Sequence, residues 1–117
     1  MKQATAIHEA AHALMAMQCG LEVTEIKVET HTGSCSYKGA HTIFDDWRIT
    51  LAGPVAERFF YGTPHDCLTQ HGGTGDLNSI ADIGFANLIT FEQSVTAWVE
   101  HYAPDIERLA ATLLTPN

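Results

Sequence analysis

Basic residues are scarce in this sequence. Six Lys and Arg stand against fourteen Asp and Glu, a formal charge of -8 over 117 residues. A phosphate backbone or an anionic bilayer is repelled on average, so nucleic acid is not expected as a partner. Cysteine is also sparse: Cys19, Cys35 and Cys67 are odd in number and form no C-x-x-C pair. Neither a disulfide framework nor a zinc ribbon is indicated, and a reducing, cytoplasmic setting is expected. Long hydrophobic runs are missing. The stretches 10–17 and 83–91 fall short of the roughly 18 to 20 residues a membrane span needs, so a chain with no membrane span is expected. Only Met1 to Ile7 precede the first chemically loaded residue, so neither a signal peptide nor a leading module is expected.

What is present is ordinary globular composition, 45% hydrophobic and 17% charged, and a single domain over 1–117 is expected. Residues 3–19 carry Ile7, Ala11 and Leu14 at helical spacing, with Gly20 placed to end the helix. Thr24, Ile26 and Val28 then alternate with charged residues, His31-Thr32-Gly33 supplies turn chemistry, and Cys35, Tyr37 and Gly39 alternate again. The pattern predicts a two-stranded ribbon. Asp45 or Asp46 is positioned to cap a second helix with Ile49, Ala52, Val55, Ala56 and Phe59 on one stripe, kinked or split at Pro54 and closed by Gly62. Residues 63–75 read as a loop that enters a helix near Asp76. Thr90 with Gln93 forms a capping-box pattern for a helix to about Tyr102, and Pro104 suits the first turn of a last helix ending near Leu114. The expected fold is therefore mainly α, a compact helical array with one small two-stranded β-ribbon.

His8-Glu9-Ala10-Ala11-His12 is an H-E-x-x-H segment within the first helix. At about 100° and 1.5 Å per residue, the two imidazoles lie about 40° and 6 Å apart on one face, within reach of one metal ion. Glu9 projects about 60° from His12, beside that metal as a base for bound water rather than as a ligand. This is the zinc-peptidase arrangement. With seven His and eight Glu in the chain, about 0.03 such matches arise by chance. Two histidines leave a catalytic zinc site one protein ligand short. Asp76, Glu57, His71, His65 and Cys67 are the candidates. Asp76 also reads as a helix N-cap and Glu57 as a solvated mid-helix carboxylate, and the chemistry of the residues alone does not choose between them.

Three segments in order resemble the FtsH-type zinc peptidases, the metalloprotease domain of the AAA membrane proteases. They are Ala6 to Leu14 around H-E-x-x-H, Leu51-Ala52-Gly53-Pro54-Val55-Ala56-Glu57, and Gly72-Gly73-Thr74-Gly75-Asp76-Leu77. Residues 106–114 are similar to that family's C-terminal helix. The resemblance implies Zn2+ held by His8, His12 and Asp76, Glu9 as catalytic base, and Glu57 orienting a ligand histidine. It also implies a mostly helical fold with one ribbon and a ring assembly, hence a homo-oligomer. Pro54, Gly75 and Ala11 depart from the family's usual Arg, Asn and Gly, yet no ligand and not the base is lost. Leu51-Ala52-Gly53-Pro54 is similar to the intramembrane zinc proteases as well, but the lack of spanning segments argues against that relationship.

The function expected is zinc-dependent hydrolysis of peptide bonds in flexible or unfolded polypeptides, by a chain with no ATPase module of its own. Extended substrate would pair with an edge of the ribbon. His71, Tyr61 and His65 are candidates to stabilise the oxyanion. Two alternatives share the same residues: a non-catalytic zinc-binding module that recognises a peptide or partner, and a hydrolase of non-peptide amides. Trp47, Phe59, Phe60 and Tyr61 read as core or pocket aromatics, Cys67 as an idle thiol, and His31, His41 and His101 as solvent-facing.

Overall fold

The computed structural model describes residues 2–30, 32–62 and 85–114, the last segment with side chains from residue 89. The elements in order are α1 (Lys2–Gln18), β1 (Glu22–Val28), β2 (Gly33–Lys38), α2 (Ile43–Tyr61) and α3 (Phe85–Leu114). A mainly helical architecture with one antiparallel two-stranded ribbon results.

α1 is the central element. Ala4, Ala6, Ala10, Ala11, Ala13 and Ala16 are all nearly or fully buried, because small side chains let α2, α3 and both strands pack closely on it. Its end is set by Gly20 at φ 83°, where Gly20 N–H donates to the Met17 carbonyl and Leu21 N–H to that of Ala16. That is a Schellman closure, and it turns the chain directly into β1.

The ribbon pairs Val23 with Tyr37, Ile26 with Cys35 and Val28 with Gly33, with an irregularity between Val23 and Glu25. The extra residue, Thr24, shifts the alternation, so Val23 rather than Thr24 faces inward beside Ile26 and Val28. The simple alternation of Thr24, Ile26 and Val28 is thereby corrected by a bulge, which a period-two pattern does not reveal.

α2 starts one turn earlier than its acidic residues suggest. Thr42 is the cap: Asp45 N–H donates to Thr42 Oγ1 at 3.2 Å, and Thr42 N–H donates to Asp45 Oδ2 at 3.1 Å. Asp45 is thus the return arm of a capping box rather than the cap. Pro54 lies inside α2 without splitting it, and Gly62 closes the helix on the Arg58 carbonyl. Phe59 is exposed rather than part of the core stripe. The C-terminal half differs more. Where Thr90 and Pro104 suggest two helix starts, one 30-residue helix runs from Phe85 to Leu114 with Pro104 inside it. Burial of Val95, Val99, Ile106 and Ala110 against α1 and α2 extends across the proline, and tertiary packing outweighs the one lost backbone donor.

Candidate metal centre

His8 and His12 lie one turn apart on α1, both buried, with ring centroids 4.6 Å apart and planes near perpendicular. Opposite them, α2 presents Ile49, Gly53 and Glu57, also spaced by four. The contacts run in reverse order along the two helices, so α2 passes antiparallel to α1 at the histidine pair. His12 Nδ1 donates to the carbonyl oxygen of Ile49 at 2.6 Å. His8 Nδ1 donates to Oε1 of Glu57 at 2.6 Å. Gly53 sits between, touching both rings: a Cβ there would stand 2.5 Å from His12 Nε2 and 2.7 Å from His8 Cδ2.

Each part of this arrangement has a local cause. A glycine inside a helix costs about 1 kcal/mol relative to alanine, and here its bare Cα is what lets α2 approach the two rings. Pro54 has no N–H for the Thr50 carbonyl one turn back, while the neighbouring Ile49 carbonyl accepts the imidazole. Glu57 is completely buried, unlike the solvated mid-helix carboxylate that its position suggests, and it occupies that interior with its carboxylate on His8.

The two Nδ1 bonds fix the chemistry of the rings. A carbonyl oxygen can only accept, so His12 carries a proton on Nδ1, and the tautomer this selects for a neutral ring has its lone pair on Nε2. The carboxylate of Glu57 favours the same tautomer for His8. Ligand histidines in metalloenzymes are oriented in this way by a carboxylate or carbonyl on the far nitrogen. Two histidines so prepared, on one helix face and in a dry interior, fit a divalent zinc-like cation as two of its ligands. Glu9 is also buried, at 3% exposure, and lies beside them on α1.

Among the described residues no group of three or more His, Cys, Asp or Glu side chains is arranged to hold a metal. Asp76, His65, Cys67 and His71 lie outside the described residues. Of the other candidates, Tyr61 is exposed at the end of α2. The thiol of Cys35 is half-buried on the ribbon and is pushed up to about 12, by burial and then by the charge of Glu9. Sequence reasoning missed the Ile49 carbonyl and Gly33, which contacts Glu9. A backbone acceptor has no residue signature, whereas a glycine opening a strand was a usable sign of close approach.

No curated protein matches the sequence. A family model does, the Peptidase M50B-like model, over residues 3–90. This is a site-2-protease-type group, the relationship that the lack of spanning segments argued against. The match overturns that argument, although among the described residues no helix is long and apolar enough to cross a membrane. With most of its length matched, histidine pair and Gly53 included, the chain belongs to the Peptidase M50B-like family of metallopeptidases.

Proposed function

We propose that this protein is a zinc-dependent peptidase in which His8 and His12 are two metal ligands, Asp76 is the third and Glu9 is the base. The observation that carries the reading is the paired orientation of the histidines, each held through Nδ1 by an acceptor on α2. The order of the three motif segments supports the finer likeness to FtsH-type peptidases, in which an aspartate at the position of Asp76 completes the site.

Bound zinc would supply a water whose pKa is lowered to about 7 and would polarise the scissile carbonyl. The residues of the chain do the rest. Glu9 takes a proton from the attacking water and delivers it to the leaving amine nitrogen. Glu57 and the Ile49 carbonyl keep both imidazoles in one tautomer. Buried Gly53 and its neighbours exclude bulk water from the rings. The substrate proposed is a flexible or unfolded polypeptide, held as an added strand on the ribbon, whose β2 begins against Glu9.

The test is zinc analysis of purified wild type and Asp76→Ala, followed by digestion of unfolded casein by wild type and Glu9→Gln. About one zinc per chain in wild type, a weakened site in Asp76→Ala, and turnover lost in Glu9→Gln support the reading. A Glu9→Gln protein that holds zinc and digests casein at the wild-type rate overturns the mechanism. Zinc without turnover of any peptide would favour a non-catalytic recognition module.

A further inference from the structure

Glu9 has a long, flexible side chain, yet it is buried to 3% exposure. Part of what packs along it comes from the ribbon, 24 residues further on. A Cβ on Gly33 would stand 2.8 Å from Glu9 Cγ, 2.9 Å from Thr5 Cγ2 and 2.9 Å from the carbonyl oxygen of Lys27. Thr5 and Glu9 are four apart on α1 and share one face, so the bare Cα of Gly33 rests across both.

The backbone does not explain the glycine, since among the described residues the positive-φ glycines are Gly20, Gly39 and Gly62. Only the missing side chain does. The same end of the ribbon is fastened a second time, through Thr5 Oγ1 donating to the Thr30 carbonyl at 3.4 Å. Further along the inward face of β2, Cys35 is near enough to feel the charge of Glu9.

We propose that Gly33 is a positioning residue for Glu9: the start of β2 pins the Glu9 methylene stem against α1 and so fixes where its carboxylate stands. The proposal rests on Glu9 being the base, as argued above. Its consequence is that the ribbon and the base are one mechanical unit, and a shift of about 1 Å at Gly33 would cost on the order of 10²-fold in turnover.

The test is a double-mutant cycle that does not depend on turnover. Zinc-loaded wild type, Gly33→Ala, Glu9→Gln and the double variant are titrated with acetohydroxamic acid, a metal chelator whose acidic proton an adjacent carboxylate accepts. Gly33→Ala is expected to keep its zinc and lose about tenfold in hydroxamate affinity, and that loss is expected to vanish in the Glu9→Gln background. A KM little changed against a reduced kcat on casein is expected alongside. An equal loss in both backgrounds, or none in either, would overturn the positioning role.

Should Gly33→Ala fail to fold, Thr5→Val loosens the same ribbon end without a new Cβ at residue 33. The same Glu9-dependent loss, smaller in size, is expected of it, and its absence would count against the proposal. A wild type that binds no zinc, or whose hydroxamate affinity is the same in Glu9→Gln, would overturn the underlying site reading, and Gly33 with it. The zinc and Glu9→Gln arms tell that failure apart from a failure of Gly33 alone.

Discussion

Gly53 meets His12 at a distance that admits no side chain: a Cβ on Gly53 would lie 2.5 Å from the imidazole Nε2. That nitrogen is the one able to ligate a metal through its lone pair in the tautomer that donates from Nδ1 to the Ile49 carbonyl. Gly53→Ala therefore sets about 1 kcal/mol of improved helix propensity against an overpacking cost of about 1–3 kcal/mol. The expected outcome is a small net loss of stability with a disproportionate loss of zinc affinity, tenfold or more by the order of magnitude that misoriented ligands show. Chelator competition beside thermal denaturation measures both. Unchanged zinc affinity would mean that the helix approach at Gly53 has no bearing on the histidines.

Glu57 is the next test of the same frame. Glu57→Gln keeps an oxygen able to accept from His8 Nδ1 but removes the charge, and about a tenfold drop in metal affinity is expected. Glu57→Ala leaves the Nδ1 donor unsatisfied in a buried site, which costs about 1–3 kcal/mol of stability in addition. The two variants separate orientation from charge, and equal metal affinities for both would refute the role of the hydrogen bond.

His41 carries a pH dependence of its own. Its Nδ1 lies 2.8 Å from the Gly39 carbonyl and its Nε2 2.8 Å from Asp46 Oδ1. Two acceptors favour the doubly protonated ring, and the pKa is raised, by the Gly39 hydrogen bond first and then by Asp46. A folded-state pKa above the unfolded value means that this contribution is fully present below the unfolded pKa and fades as pH rises through the folded one. The link joins the end of β2 to the first turn of α2, where Tyr37 also donates to Asp46. His41→Asn should therefore flatten the fall in melting temperature as pH rises through the raised pKa of this imidazole, an effect weakened by salt. An identical pH profile for variant and wild type would refute it.

The thiols of Cys19 and Cys35 should be slow to react. Burial pushes Cys19 up to about 11, helped by Asp45, and Cys35 up to about 12, helped by Glu9. Thiolate is the reactive form, so neither should be alkylated by iodoacetamide at pH 8 in the folded chain, and both should react in denaturant. Mass spectrometry of the peptides decides it. Rapid labelling of Cys35 in the native state would mean that the ribbon lifts away from Glu9.

Much of this was legible along the chain, because local chemistry leaves local signs. Residues 3–19 announced α1 through alanine content and the spacing of Ile7, Ala11 and Leu14. Gly20 announced its end, and alternation announced the ribbon. His8 and His12 share a face simply because the helix repeats every 3.6 residues. What misled was also local. Asp45 has the chemistry of a cap yet serves as the return arm to Thr42, and Thr90 and Pro104 have the chemistry of helix starts yet lie inside α3. In the first case a fuller capping box three residues wide, and in the second a continuous buried face, outweighed the nearest signal.

Sequence alone determined the spacing of His8, Glu9 and His12 on one helix, since that follows from backbone geometry. Only tertiary structure decided how those side chains are held. The Ile49 carbonyl has no side-chain signature, Glu57 is buried rather than solvated because α2 crosses α1 antiparallel at Gly53, and Gly33 reaches Glu9 only after the chain has turned back on itself. Such contacts join residues 24 to 49 positions apart, and what selects them is the packing of whole helices and strands, to which a window of neighbouring residues is blind.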